Sequence, residues 1–137
     1  MTSNQTYPSV YAQLGDTGFE KLVAAFYRRV NSDPILRPLY PEQDLTAAER
    51  RLRLFLIQYF GGPTTYSAER GHPRLRMRHA PFVIGQAERD AWVTAMLGAM
   101  AEAEIDEPAY SEMKTYFENG ATFMMNASPL GGMLRNP

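Results

Sequence analysis

Cysteine is absent from this chain. Its absence removes disulfides, thiolate metal sites, iron–sulfur clusters and cysteine nucleophiles together, and it is compatible with the cytoplasmic location expected here. Histidine is scarce as well: His72 and His79 are the two present. A dedicated zinc site would need carboxylates to complete it, so a single histidine serving a cofactor is the more economical use of so few ligands. No apolar run approaches the roughly 20 residues that span a bilayer, and Met1 to Tyr7 lack the basic and apolar regions of a signal peptide. An excess of one charge is also missing. A net charge of −1 argues against a nucleic-acid binder held mainly by phosphate contacts.

What is present is ordinary globular material, with 45% hydrophobic and 21% charged residues in 137. That length predicts one domain over 1–137, with a core at about 9–127 and a flexible tail from Ser128 to Pro137. The periodicity is helical almost throughout. Thr17 and Glu20 fit a capping box, followed by Phe19, Leu22, Val23, Phe26, Tyr27 and Val30 on one buried face. Pro34 suits the first position of a short helix that runs out near Tyr40. Thr46 and Glu49 form a second capping box, behind which Leu52, Phe55, Leu56 and Tyr59 share a stripe until Gly61-Gly62-Pro63. Residues 61–72 read as an irregular loop. Further helices begin near Gln86, with Trp92, Val93, Met96, Leu97 and Met100 as its stripe, and near Pro108, with Tyr110, Met113, Phe117, Gly120, Ala121 and Met124. The mid-helix Gly120 suggests close packing. The fold class is therefore all-α, and its unequal helices and long central loop suit packing around a flat cofactor better than a regular four-helix bundle.

The chemistry concentrates in Gly71-His72-Pro73-Arg74-Leu75-Arg76-Met77-Arg78-His79-Ala80-Pro81-Phe82. Both histidines lie here, and prolines on either side limit any helix to about two turns. An arbitrary histidine is more often a hydrogen-bonded surface group than a ligand. Here, though, a short, fixed helix and neighbouring arginines suit a haem, which offers an iron to ligate and two carboxylates to neutralise. His72 precedes a proline and is assigned to the loop.

Tyr27 on an apolar face is most simply core, yet a phenol can also donate to a bound small ligand. Trp92, the one tryptophan, is core on its stripe, and its indole N–H is a donor that needs a partner when buried. No nucleophile–base–acid trio and no phosphate-cradling glycine loop is apparent.

Tyr27, Tyr40-Pro41-Glu42, Leu52 to Leu56, Gln58 to Pro63, Gly71 to Phe82 and Glu88 to Trp92 together resemble a bacterial truncated haemoglobin of the second group, over roughly residues 9–127. The resemblance implies a globin-like two-over-two helical sandwich around haem b. It implies His79 as the iron ligand and Tyr27, Tyr40 and Trp92 as ligand-binding residues. Ala48 takes the position of the distal histidine of many ordinary globins, Leu52 and Phe55 line the pocket, and Arg51, Arg78 and Tyr66 are candidates for the cofactor's carboxylates. Phe60 departs from the family, standing where tryptophan is frequent.

The expected function is reversible binding of dioxygen, carbon monoxide, nitric oxide or similar ligands. The alternative is a haem enzyme, a peroxidase or nitric-oxide dioxygenase served by a reductase. A remoter alternative is a helical module without haem whose Arg74 to Arg78 segment binds an anionic partner. No nucleic-acid partner or membrane insertion is expected, and a homodimer is compatible with the sequence.

Overall fold

A computed structural model of the protein describes residues 9–126. The tail expected from Ser128 lies outside the described residues. Within them every regular element is helical: α1 (Val10–Ser32), a 3-10 turn (Arg37–Leu39), α2 (Thr46–Tyr59), α3 (Thr65–Arg70), α4 (Leu75–His79), α5 (Gln86–Glu102) and α6 (Ala109–Met124).

Helix α1 starts earlier than the sequence suggests. The Ser9 hydroxyl accepts from the Ala12 amide at 3.0 Å and caps the first turn. The helix then breaks at Gly15, whose φ of 69° lies in the left-handed region that glycine adopts without strain. Thr17 is therefore not an N-cap, because the break sits two residues before it. The Thr46 capping box is likewise replaced: the Asp44 carboxylate accepts from the Thr46 amide at 2.9 Å and hydroxyl at 2.7 Å, from outside the helix. Pro34 begins no helix. Asp33 instead accepts from the Ile35 and Leu36 amides at 2.8 and 3.0 Å, and the 3-10 turn follows.

A further correction is α3, which occupies part of the expected loop. Six residues are too few to display a helical period. Tertiary contacts hold this element: Gln58 donates to the Ser67 hydroxyl at 2.8 Å and accepts from its amide at 2.9 Å. Arg50 meets Glu69 through both nitrogens at 2.7 and 2.8 Å.

The expected apolar face of α1 is entirely buried, from Phe19 to Val30. That face packs on α5, α2 and α6, while α5 lies along α6. Phe19, Phe26, Leu56, Met96, Met100, Met113 and Phe117 are among the fully buried side chains at the centre. Tyr59 departs from its predicted stripe and is 53% exposed. Between the helix pairs a space remains that this core does not fill.

Candidate cofactor and ligand site

That space is a cavity of about 550 Å³, within the range of ligand and cofactor pockets. Every candidate site residue from the sequence lines it: Tyr27, Tyr40, Arg51, Leu52, Phe55, Tyr66, Arg78, His79 and Trp92, together with Ala48. His72 does not. Its Nδ1 accepts from the Arg74 amide at 3.0 Å, stabilising the exposed turn before α4.

His79 closes α4. Its Nδ1 lies 2.7 Å from the Leu75 carbonyl oxygen one turn earlier and donates to it, since a carbonyl can only accept. The lone pair then resides on Nε2, which has no partner among the described residues. A backbone carbonyl that fixes the tautomer and raises the basicity of the other nitrogen is the usual support of a metal-ligating imidazole. The site is anchored from the far end of the chain by Asn126. Its side chain accepts from the Ile84 amide at 2.8 Å and donates to the Phe82 carbonyl at 2.8 Å and the His79 carbonyl at 3.5 Å. Its amide donates to the Ile84 carbonyl at 2.9 Å.

Tyr40, Tyr27 and Trp92 form another wall, joined through the fully buried Phe26, which does not itself line the cavity. Tyr40 meets Tyr27 edge-to-face with centroids 5.7 Å apart, Tyr27 meets Phe26 at 5.1 Å, and Phe26 meets Trp92 at 5.3 Å. Burial raises the Tyr27 pKa well above the ordinary phenol value, with the Tyr40 phenol adding to the shift. Burial also raises Tyr40, with its neighbour Tyr27 acting the other way. Both phenols stay protonated near neutrality. The segment carrying Tyr40 is held by Arg37, which donates to the carbonyls of Tyr40, Glu42 and Gln43 at 2.9, 2.7 and 2.9 Å. The Trp92 indole N–H has no acceptor among the described residues.

Charge gathers at the margin. Arg51, Arg70, Arg78 and Arg89 line the cavity against Glu42 and Glu88. Arg51 bonds Glu42 at 3.2 Å, and Glu88 accepts from the Gly85 amide at 2.8 Å. Arg78 donates to the Pro73 and Arg70 carbonyls at 2.7 and 3.2 Å, without a carboxylate partner among the described residues. Arg70 lies over the Tyr66 ring at 5.9 Å. Arg70, Arg89, Tyr116 and Gly120 were missed as lining residues. The apolar face of α6 pointed to Gly120, whereas Tyr116 lay off that face and the arginines carried no signal distinguishing them from surface charge.

These residues fit a flat, mainly apolar group that bears anionic substituents and a metal able to take one nitrogen ligand. By contrast, no cluster of three or more metal-ligating side chains occurs among the described residues, so a metal held by side chains alone has no site there. The model of the bacterial-like globin family matches residues 9–126. The chain belongs to that family. It is 41% identical over 114 residues to the Group 2 truncated hemoglobin YjbI of Bacillus subtilis, covering 80% of this chain and 86% of that one. Its fold matches the crystal structure of the hemoglobin of Chloroflexus aurantiacus, with a TM-score of 0.84, 55% identity and coverage of 88% and 99%. It also matches the truncated oxygen-avid haemoglobin of B. subtilis, with a TM-score of 0.83, 39% identity and coverage of 87% and 100%. The chain is accordingly a globin of the group II, two-on-two type, with the haem and small-ligand binding that the family implies. No helix among the described residues is long and apolar enough to cross a membrane.

Proposed function

We propose that this globin binds dioxygen and other diatomic ligands reversibly on haem b, with His79 as the residue that would hold the iron and Tyr27, Tyr40 and Trp92 as the polar groups facing the ligand. The observation that carries the reading is the His79 imidazole: it lines the cavity, its Nδ1 is committed to Leu75, and Nε2 is left as a base. Bound haem would supply an iron able to take a diatomic ligand.

The chain's own residues do the rest. His79 Nε2 donates its lone pair, and the Leu75 carbonyl holds the ring in place. Leu52, Phe55 and Leu75 exclude water. Arg78, with no competing carboxylate, and Arg51 neutralise the anionic edge, and Tyr66 borders them. Tyr27, Tyr40 and Trp92 line the cavity as hydrogen-bond donors for the ligand. At about 1 kcal/mol per hydrogen bond, two such donors slow release by more than about tenfold. That suits sensing, scavenging or ligand chemistry better than bulk delivery, and one relative in B. subtilis is itself described as oxygen-avid.

The test is the visible spectrum of purified protein, first ferric, then reduced with dithionite, then under carbon monoxide. A strong Soret band that shifts at each step and is lost in His79→Ala is the expected result. A protein that remains without that band after reconstitution with haemin overturns the proposal.

A further inference from the structure

Arg37 is anchored before its side chain reaches for anything. Its amide donates to the Asp33 carbonyl at 2.9 Å, and the preceding Leu36 is fully buried. From that base a single guanidinium serves three carbonyls: Nη1 donates to that of Tyr40, and Nη2 to those of Glu42 and Gln43. No backbone amide among the described residues donates to any of the three. Between the 3-10 turn and α2 the chain has no regular structure. Tyr40 itself is extended, with φ −107° and ψ 110°, as suits a residue before proline. One side chain, rather than a backbone ladder, therefore sets the course of this stretch. What it carries faces the cavity: Tyr40 and Glu42 line it, and Glu42 accepts from Arg51 on α2.

We propose that Arg37 is a positioning residue for ligand retention: its clamp on three carbonyls holds Tyr40 where the phenol can reach a bound diatomic ligand. The proposal rests on haem occupying the cavity and on Tyr40 facing the ligand. Arg37 does not line the cavity, so it acts through the segment it holds. A hydrogen bond weakens steeply away from its geometry. The Tyr40 hydroxyl stands at the far end of a long side chain, and a small tilt of the backbone displaces it more than it displaces Cα. The edge-to-face contact with Tyr27 does not replace the clamp, because such ring pairs tolerate a wide spread of separations. A guanidinium suits the task. Its donors form a rigid planar fork, and the three carbonyls are divided between two of its nitrogens. A lysine ammonium keeps the charge but offers its donors from one point.

The experiment compares the haemin-loaded native chain with Arg37→Ala, Arg37→Lys, Tyr40→Phe and the double variant Arg37→Ala/Tyr40→Phe, with loading verified by the Soret band. It reads the oxygen dissociation rate, the infrared stretching band of bound carbon monoxide, and deuterium uptake by segment 40–45. Arg37→Ala should release oxygen several-fold faster, move the carbon monoxide band to higher frequency and take up deuterium faster. Guanidinium ion, added below denaturing concentrations, should return all three towards native values. Arg37→Lys should fall between, and it keeps the test available if Arg37→Ala fails to fold. Tyr40→Phe should reproduce the faster release, and the double variant should add nothing to it. Native release in Arg37→Ala while Tyr40→Phe is fast overturns the proposal, as does an Arg37→Ala effect that persists in full on top of Tyr40→Phe. Native values in Arg37→Lys overturn it too, since charge alone would then suffice. Native release in Tyr40→Phe overturns the role given to Tyr40 and this proposal with it. Failure to take up haemin appears before any rate is measured, and overturns the haem reading instead.

Discussion

The rings of Tyr27 and Tyr40 meet edge-to-face with centroids 5.7 Å apart, so two phenols on different segments act as one polar unit in a mainly apolar wall. Burial makes the two tyrosines unequal: Tyr27 is buried, whereas Tyr40 is half-buried. Tyr40→Phe deprives the buried Tyr27 hydroxyl of its polar neighbour and should cost about 1–3 kcal/mol in the ligand-free protein. Tyr27→Phe leaves the more accessible Tyr40 to water, so it should cost less. Urea unfolding of both variants measures the difference, and equal losses would show that burial does not set the two phenols apart.

Trp92 lines the cavity, and its indole N–H has no protein acceptor among the described residues. Trp92→Phe keeps a ring between Phe26 and Phe117 and removes that donor. The oxygen dissociation rate, followed by stopped-flow, should rise about tenfold, the equivalent of one hydrogen bond of about 1.4 kcal/mol. An unchanged rate would remove the tryptophan from ligand stabilisation.

Two glycines should respond oppositely to alanine. A Cβ on Gly120 meets nothing within 4 Å, so Gly120→Ala should stabilise α6 by about 0.5–1 kcal/mol. A Cβ on Gly62 would lie 2.6 Å from Ile57 and 2.8 Å from the Tyr11 ring, so Gly62→Ala should destabilise the protein. Thermal melts of the two variants on either side of the native midpoint are the expected outcome.

Stability should fall with acid. Glu102 is held below the usual carboxylate value of 4.5 by Arg29 and then Arg28, and Glu69 by Arg50. Glu42 is lowered too, first by its own backbone amide and then by Arg51. A depressed folded-state pKa stabilises the protein above the unfolded value and loses that effect as pH falls through the folded one. The melting temperature should therefore be level above about pH 5 and decline below about 4.5. Because these pairs are exposed, added salt should flatten the decline. Glu102→Gln should show a shallower acid slope than the native chain.

The legible parts of the molecule were those in which one stretch of chain contains its own reason. The face of α1 from Phe19 to Val30 repeats at helical spacing, and all of it is buried. Helices α5 and α6 begin where Gln86 and Pro108 suggested, to within a residue. The capping residues were misplaced because Ser9 and Asp44 are as competent as Thr17 and Thr46, and only the Gly15 break and the entry of the chain into α2 decide among them. Helix α3 depends on Gln58 and Arg50, residues of another helix, so no local pattern could reveal it. Gly120, suggested as a close-packing point, instead borders open cavity. The site residues were legible through family resemblance. From residue type alone, Tyr66, Arg51 and Arg78 are indistinguishable from ordinary core and surface groups.

Helix α4 has five residues, well below the roughly 12–15 at which a helix begins to hold itself together in water. What keeps His79 in position is therefore borrowed, and much of it comes from Asn126, forty-seven positions later. The order of events during folding follows from that distance. α1 and α2 can find each other early, but the wall of the cavity that carries the histidine takes shape only when the end of α6 arrives. Capture of a cofactor thus reports completion: a chain stalled before α6 docks would retain most of its helices and still be unable to present its histidine.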